Sequence, residues 1–146
     1  GVGIVTPHRA QRAAVIRILR DIFPSDDPLL IENAVDTVER FQGGERDLIL
    51  VSFGVGDPDL VEAEEEFLLG LNRTNVAISR ARAKAIVFVS DDLSYPLPDD
   101  VDIVRTARAV KGFVHQYCHQ RANYTVQMPA GDRMVTLRWR EEAPAK

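Results

Sequence analysis

Cysteine is almost missing: Cys118 is the one thiol in 146 residues. That excludes an internal disulfide framework and a multi-cysteine zinc site. No apolar run approaches the roughly 20 residues of a membrane-spanning helix, and no charged-then-apolar leader opens the chain. The expectation is a protein of a reducing compartment, the cytoplasm or a eukaryotic nucleus, neither secreted nor held in a membrane. A basic excess is also lacking. The chain has 22 acidic and 18 basic residues, a formal charge of −4, which argues against coating nucleic acid by bulk charge. Lysine is scarce, with 3 Lys beside 15 Arg. Arginine suits planar, bidentate phosphate contacts, although composition alone gives none of the fifteen a role. There is no internal repeat and no low-complexity tract. What is present, 45% hydrophobic and 27% charged residues, fits one ordinary folded domain and excludes a disordered tail.

The chain opens inside an apolar run. Gly1–Thr6 reads as a buried strand closed by Pro7, a start expected of a piece cut from something longer. From Arg9 the period lengthens. Val15, Ile18, Leu19 and Ile22 fall on one helical stripe, with Arg12 and Arg20 away from it. Pro24 and the Ser25–Pro28 cluster predict a loop. Val35–Val38 is a short strand candidate and Leu48–Phe53 a fully buried one. Residues 54 to 66, Gly/Asp/Pro-rich and then acidic, read as an exposed, mobile connection. A helix over Asn72–Arg82 feeds a strand over Ala85–Ser90. Strands alternating with helices predict an α/β domain built on a parallel sheet. Residues 91 to 102 are loop-like, residues 105 to 121 predict an amphipathic helix, and alternation at Tyr124–Met128 and Val135–Trp139 predicts a β-hairpin.

Three segments place polar residues where buried strands end, and ligands of open α/β sheets bind beyond the carboxyl ends of strands. They are Thr6-Pro7-His8-Arg9-Ala10-Gln11, Thr37 to Asp47 (TVERFQGGERD) and Leu71 to Arg82 (LNRTNVAISRAR). In this order they resemble the later motifs of superfamily 1 helicases of the Upf1-like branch, in the second, C-terminal RecA-like motor domain. The resemblance covers residues 1–90; residues 91–146 form a C-terminal helix-plus-hairpin extension without one. It implies a RecA-like parallel sheet flanked by helices, ATP and Mg2+ as cofactors, and single-stranded DNA or RNA as partner. The N-terminal RecA-like domain of the same protein would be the second partner.

The same resemblance implies roles residue by residue. Arg80 matches the arginine that reaches across the cleft toward the γ-phosphate and is the candidate catalytic residue; Arg82 and Lys84 would be solvated or lend the cleft charge. Gly43 and Glu45 match nucleotide-binding positions, where glycine admits close approach of backbone amides and a carboxylate can accept a ribose hydroxyl. Gln42 matches the glutamine coupling the nucleotide cleft to the nucleic-acid groove, a relay suited to an amide that both donates and accepts. Thr6, Pro7, His8, Arg9, Thr37 and Arg73 fall on segments that touch the nucleic-acid backbone, where hydroxyls and amides serve without reading sequence. Read without the resemblance, Arg80 is a surface arginine in an ion pair, Glu45 a turn glutamate, and each threonine a turn or capping residue. His8 stands where the family often has an aromatic, and Glu39 where it has aspartate.

Other candidates carry less. His115 and His119 have a zinc-compatible spacing near Cys118, with no further ligand beside them and no intervening glutamate. Asn72 and Asn123 head glycosylation triplets without a secretion signal. Trp139 reads as hairpin packing. There is no Gly-x-x-x-x-Gly-Lys-Ser/Thr loop, and no Asp-Glu pair after an apolar strand to hold magnesium. The chain alone is therefore not expected to hydrolyse ATP. The alternative from a different class is a non-catalytic nucleic-acid or protein adaptor with a helicase-like domain.

Overall fold

The computed structural model describes residues 1–38, 40–41, 44–55, 58–69, 75, 78–94 and 101–141. The chain divides into two compact units, Gly1–Ala107 and Arg108–Lys146.

The first unit is built on four parallel strands, β1 (Val2–Thr6), β2 (Val35–Thr37), β3 (Arg46–Ser52) and β4 (Ala81–Phe88), in the order β2-β1-β3-β4. Helices α1 (Arg9–Ile22) and α2 (Pro28–Ala34) join β1 to β2, and α3 (Pro58–Leu69) joins β3 to β4. Parallel neighbours require such crossovers. Only half of the expected α1 stripe is turned inward: Ile16, which was not on it, packs with Ile31 of α2 and Val35 of β2, and Ile4, Val15 and Leu19 close over them, whereas Ile18 and Ile22 are exposed. Val5, Ile49 and Val51, on adjoining strands, are buried at the centre of the sheet. Burying each such side chain contributes about 1.5–3 kcal/mol.

Several expectations change. The loop after α1 is short, because Asp27 caps α2 by accepting the Leu29 N–H at 2.9 Å. Pro28 then starts the helix, where its missing donor costs nothing. The connection expected over residues 54 to 66 is largely helical. α3 starts at Pro58, carries Asp59 in its first turn and buries Leu68. Its glutamates, read as a solvated run, are good helix formers. β4 starts at Ala81, four residues earlier than its apolar core, so Arg82 lies in the strand and not in the helix expected over Asn72–Arg82, and Lys84 lies in the strand as well. Ala81 pairs with Arg46 but Lys84 with Leu48; the extra residue in β4 is a bulge, a device common beside functional sites. Asp91–Ser94 forms a short helix, α4, within the segment expected to be loop.

The late helix, α5 (Val101–Gly112), ends before residue 121. Its chain continues in a wider turn over Phe113–Tyr117, closed by the Cys118 N–H on the Phe113 carbonyl at 3.0 Å. His119 therefore lies beyond the helix, its Nδ1 3.3 Å from the Tyr117 carbonyl oxygen, and the helical His115/His119 spacing needed for zinc does not exist. The hairpin is present and longer than the alternation indicates: β5 (Gln120–Val126) and β6 (Arg133–Trp139) pair antiparallel from Gln120↔Trp139 to Val126↔Arg133. Gly131, at φ +105°, makes the turn. The architecture is the expected α/β parallel sheet with a helix and hairpin after it.

Candidate nucleotide and nucleic-acid sites

The polar residues of the three motif segments do not gather at one end of the sheet. Thr6, Pro7, His8, Arg9 and Thr37 stand at the carboxyl ends of β1 and β2, whereas Glu45, Arg80 and Arg82 stand at the amino ends of β3 and β4. At 3.3 Å per residue the two ends are roughly 15–20 Å apart. The carboxyl-end rule thus covers the first segment and the start of the second only.

One stretch of chain connects the ends. After β2 the backbone turns tightly, with Phe41 N–H bonding the Thr37 carbonyl at 2.8 Å. Phe41 is buried over Gly3, near the start of β1, where a Cβ would lie 2.6 Å from its Cζ. The Arg46 guanidinium then lies 5.7 Å from the Phe41 ring centre, and β3 begins. A glycine in β1 gives the ring its seat, which is why a small residue interrupts an otherwise branched strand.

At the amino end, the Arg46 N–H bonds the Arg80 carbonyl at 3.0 Å, fixing Arg80 at the strand edge. Its side chain is partly buried, and its Nε is buried with no hydrogen-bond partner among the described residues. A buried donor left unpaired costs about 1–3 kcal/mol, a cost that an anion accepting from it would remove. Two residues on, Arg82 Nε donates to Glu45 Oε2 at 2.9 Å. That bond, and the charge of Glu45, raise the Arg82 pKa. Both side chains are 61% exposed, so the pair contributes little to stability. Glu45 therefore has a partner, and Arg80 is the arginine here with capacity for an anion.

At the carboxyl end, Thr6 and Thr37 are register partners and both are buried. The Thr6 hydroxyl donates to the His8 carbonyl at 3.3 Å, the local turn bonding open to any such threonine. His8 does not face an empty groove. Its ring stacks on Phe67 of α3, with centroids 5.1 Å apart and planes 15° from parallel, and its Nε2 lies 2.7 Å from Glu64 Oε2. Arg9 opens α1 and is exposed. The crevice between β1 and β3, where the strand order reverses, is bridged by Gln11, whose Nε2 donates to Ser52 Oγ at 2.9 Å. Gly54, at φ +63°, gives way to that amide: a Cβ there would lie 1.9 Å from Gln11 Nε2. Gln42, Gly43 and Arg73 lie outside the described residues.

Residues that the sequence did not mark as functional now have clear positions. Gln11 spans the switch point, Phe67 and Glu64 hold His8, and Arg12 ties α1 to β2 through the Val35 carbonyl at 2.8 Å and the Asp36 carboxylate at 3.5 Å. The glutamine inside the first motif was the available signal for Gln11. Nothing in the sequence signals that α3 reaches His8.

The family model described as "AAA domain" matches residues 1–92. The chain belongs to that family, in the Upf1-like branch of the superfamily 1 helicases. Among curated relatives, the probable RNA helicase armi of Drosophila melanogaster is 37% identical over 91 residues, 60% of this chain and 7% of that protein. The mouse DNA replication ATP-dependent helicase/nuclease DNA2 is 35% identical over 89 residues, 61% of this chain and 8% of that protein. The putative helicase mov-10-B.2 of Danio rerio is 30% identical over 129 residues, 85% of this chain and 12% of that protein. That last match is too long to stop at residue 92. The chain thus spans about a tenth of the length of the relatives it matches. A helicase-type α/β domain is established for it, and no helix among the described residues is long and apolar enough to cross a membrane.

The residues present fit a nucleotide in part. The unpaired Arg80 Nε suits a phosphate, and Glu45 suits a hydroxyl at the cost of loosening its exposed bond to Arg82. Among the described residues no group of three or more His, Cys, Asp or Glu is placed to hold a metal ion. These residues offer no built site for Mg2+.

Proposed function

We propose that this chain is the second, C-terminal motor domain of an ATP-dependent DNA or RNA helicase or translocase, with residues 1–90 as the motor domain and 91–146 as its extension. The observation that carries this reading is Arg80: its backbone carbonyl accepts from the Arg46 N–H at the strand edge, its buried Nε lacks a partner among the described residues, and it stands in a motif matching the family's cleft arginine. Bound ATP supplies a phosphoryl group whose transfer develops charge on its equatorial oxygens. Arg80 supplies a donor toward that charge, Glu45 and Gly43 hold the nucleotide, and the N-terminal RecA-like domain of the same protein brings the phosphate-binding loop and Mg2+. Thr6, Pro7, His8, Arg9, Thr37 and Arg73 belong to the segments on the single-strand side, where Arg9 is the exposed side chain and Thr6, Pro7 and Thr37 lie buried beneath it. Residues 37–46, running from one end of the sheet to the other with Gln42 among them, give a covalent route between the two functions.

Arg80→Ala in the intact protein tests the reading. An arginine finger is worth about 10³–10⁵ in turnover, so ATPase activity should fall by at least about 10³ while nucleotide affinity, measured by equilibrium titration, changes less than about tenfold. Turnover at the wild-type rate would overturn it. The 146-residue chain alone should show no Arg80-dependent hydrolysis.

A further inference from the structure

Arg46 follows Glu45 and opens β3, and its backbone and side chain reach in different directions. The backbone N–H donates to the Arg80 carbonyl at 3.0 Å, and the next N–H, that of Asp47, donates to the Gly1 carbonyl at 2.9 Å. The start of β3 is thereby fixed on both sides. The side chain turns back over the residues that precede it. Its Nη1 donates to the Glu45 carbonyl at 3.0 Å. Its guanidinium carbon lies 5.7 Å from the centre of the Phe41 ring, within reach of a cation–π contact. Gly44 leaves the room for this seat: a Cβ there would lie 2.7 Å from Nη1 and 3.4 Å from Cζ of Arg46. Phe41 is itself buried over Gly3 of β1.

Arg12, Arg20, Arg40 and Arg82 each stand beside a carboxylate. Arg46 is in no ion pair among the described residues, so neutralising an acid does not account for its placement. Its planar fork meets a ring and a carbonyl instead, contacts that the compact ammonium of lysine makes poorly. Glu45 needs such a tether. It precedes the strand, is exposed, and its carboxylate rests on an equally exposed Arg82. The bond to its carbonyl and the Phe41–Arg46 contact are what fix its backbone.

We infer that Arg46 is a positioning residue for the nucleotide site: its side chain seats the backbone of Gly44 and Glu45 against Phe41, while its backbone N–H holds Arg80 at the same strand edge. The spacing between Glu45 and Arg80 is set by one residue through two independent contacts. The roles of Glu45 and Arg80 rest on the motor-domain reading; the seat of Arg46 does not.

Two substitutions remove the seat in different ways. Arg46→Met keeps most of the stem and loses the guanidinium. Gly44→Ala keeps the arginine and drives its guanidinium off the loop; the atom displaced is the far end of a flexible side chain, so the melting temperature should change little. In the intact protein each variant should bind ATP about 3- to 10-fold more weakly by equilibrium titration, the span of a lost cation–π contact and one hydrogen bond. Turnover at saturating ATP should stay within about twofold of wild type, because the backbone bond to Arg80 survives both changes. The double variant should bind like Arg46→Met alone, since the added methyl then meets no guanidinium. Additive losses overturn the inference, as does wild-type affinity in Gly44→Ala, or a fall in kcat with affinity unchanged. A drop in melting temperature that accounts for the lost binding makes Arg46 a structural residue and overturns it too. In the nucleotide-free 146-residue chain, Arg46 side-chain proton resonances shifted by the Phe41 ring should return toward their unstructured positions in Gly44→Ala. Glu45→Ala separates the two readings. If it weakens ATP binding and the Arg46 variants do not, the positioning role falls and the motor-domain reading stands. If Glu45→Ala and Arg80→Ala are both silent, the motor-domain reading falls and the positioning role with it, while the resonance shift still reports whether the seat exists.

Discussion

Glu45 and Arg80 stand a few residues apart in space yet are held in opposite ways. Glu45 is engaged, but by an exposed arginine whose bond is cheap to break. Arg80 has a buried nitrogen with no hydrogen-bond partner among the described residues. Glu45→Ala should therefore leave thermal stability within about 0.5 kcal/mol of wild type while raising the ATP concentration for half-maximal turnover in the intact protein. An equal fall in melting temperature and activity would make Glu45 a structural residue. Cys118 illustrates the same contrast at a non-catalytic position. Burial pushes its thiol pKa up, with Arg138 pulling weakly the other way. A raised value in the folded chain means stability that is present below the ordinary thiol range and lost as pH rises through the folded value. Alkylation by iodoacetamide near pH 8 should accordingly be slower in the folded chain than in the urea-unfolded one.

Among elements, β1 to β4 were legible because each is a short apolar run bounded by polar punctuation, and α1 was legible as a helix from its period, although its buried face turns toward Ile16 and leaves Ile18 and Ile22 exposed. α3 was not. Its large apolar residues sit at its two ends, Leu60-Val61 and Phe67-Leu68-Leu69, and the glutamates between them look like a solvated run unless one knows that Phe67 finds the ring of His8. The early start of β4 was hidden for a related reason: Ala81 to Lys84 have little strand preference and are held there by pairing with β3 across a bulge. The site was legible as residue types, since Arg80 and Glu45 were named from motif alone. Their placement at the end of the sheet opposite Thr6 follows from the parallel sheet, since both precede their strands in the chain, but the rule for carboxyl ends of strands does not reach it. Phe41 makes that placement physical. Its truncation to Ala removes a buried ring over Gly3 and should cost about 3–5 kcal/mol, read by urea denaturation. A smaller loss, under about 1 kcal/mol, would mean that the stretch is held elsewhere.

For the molecule as a whole, the two ends of one parallel sheet carry different chemistry, and the residues from Thr37 to Arg46 join them in a single pass. The span is fixed by the sheet, and Phe41 anchors the stretch over Gly3. An insertion or deletion of one residue between Val38 and Glu45 would shift either the ring off Gly3 or Glu45 off the strand edge. Across natural variants the chain should therefore be nearly constant in length between Val38 and Glu45, a pattern of gaps rather than of residue identities.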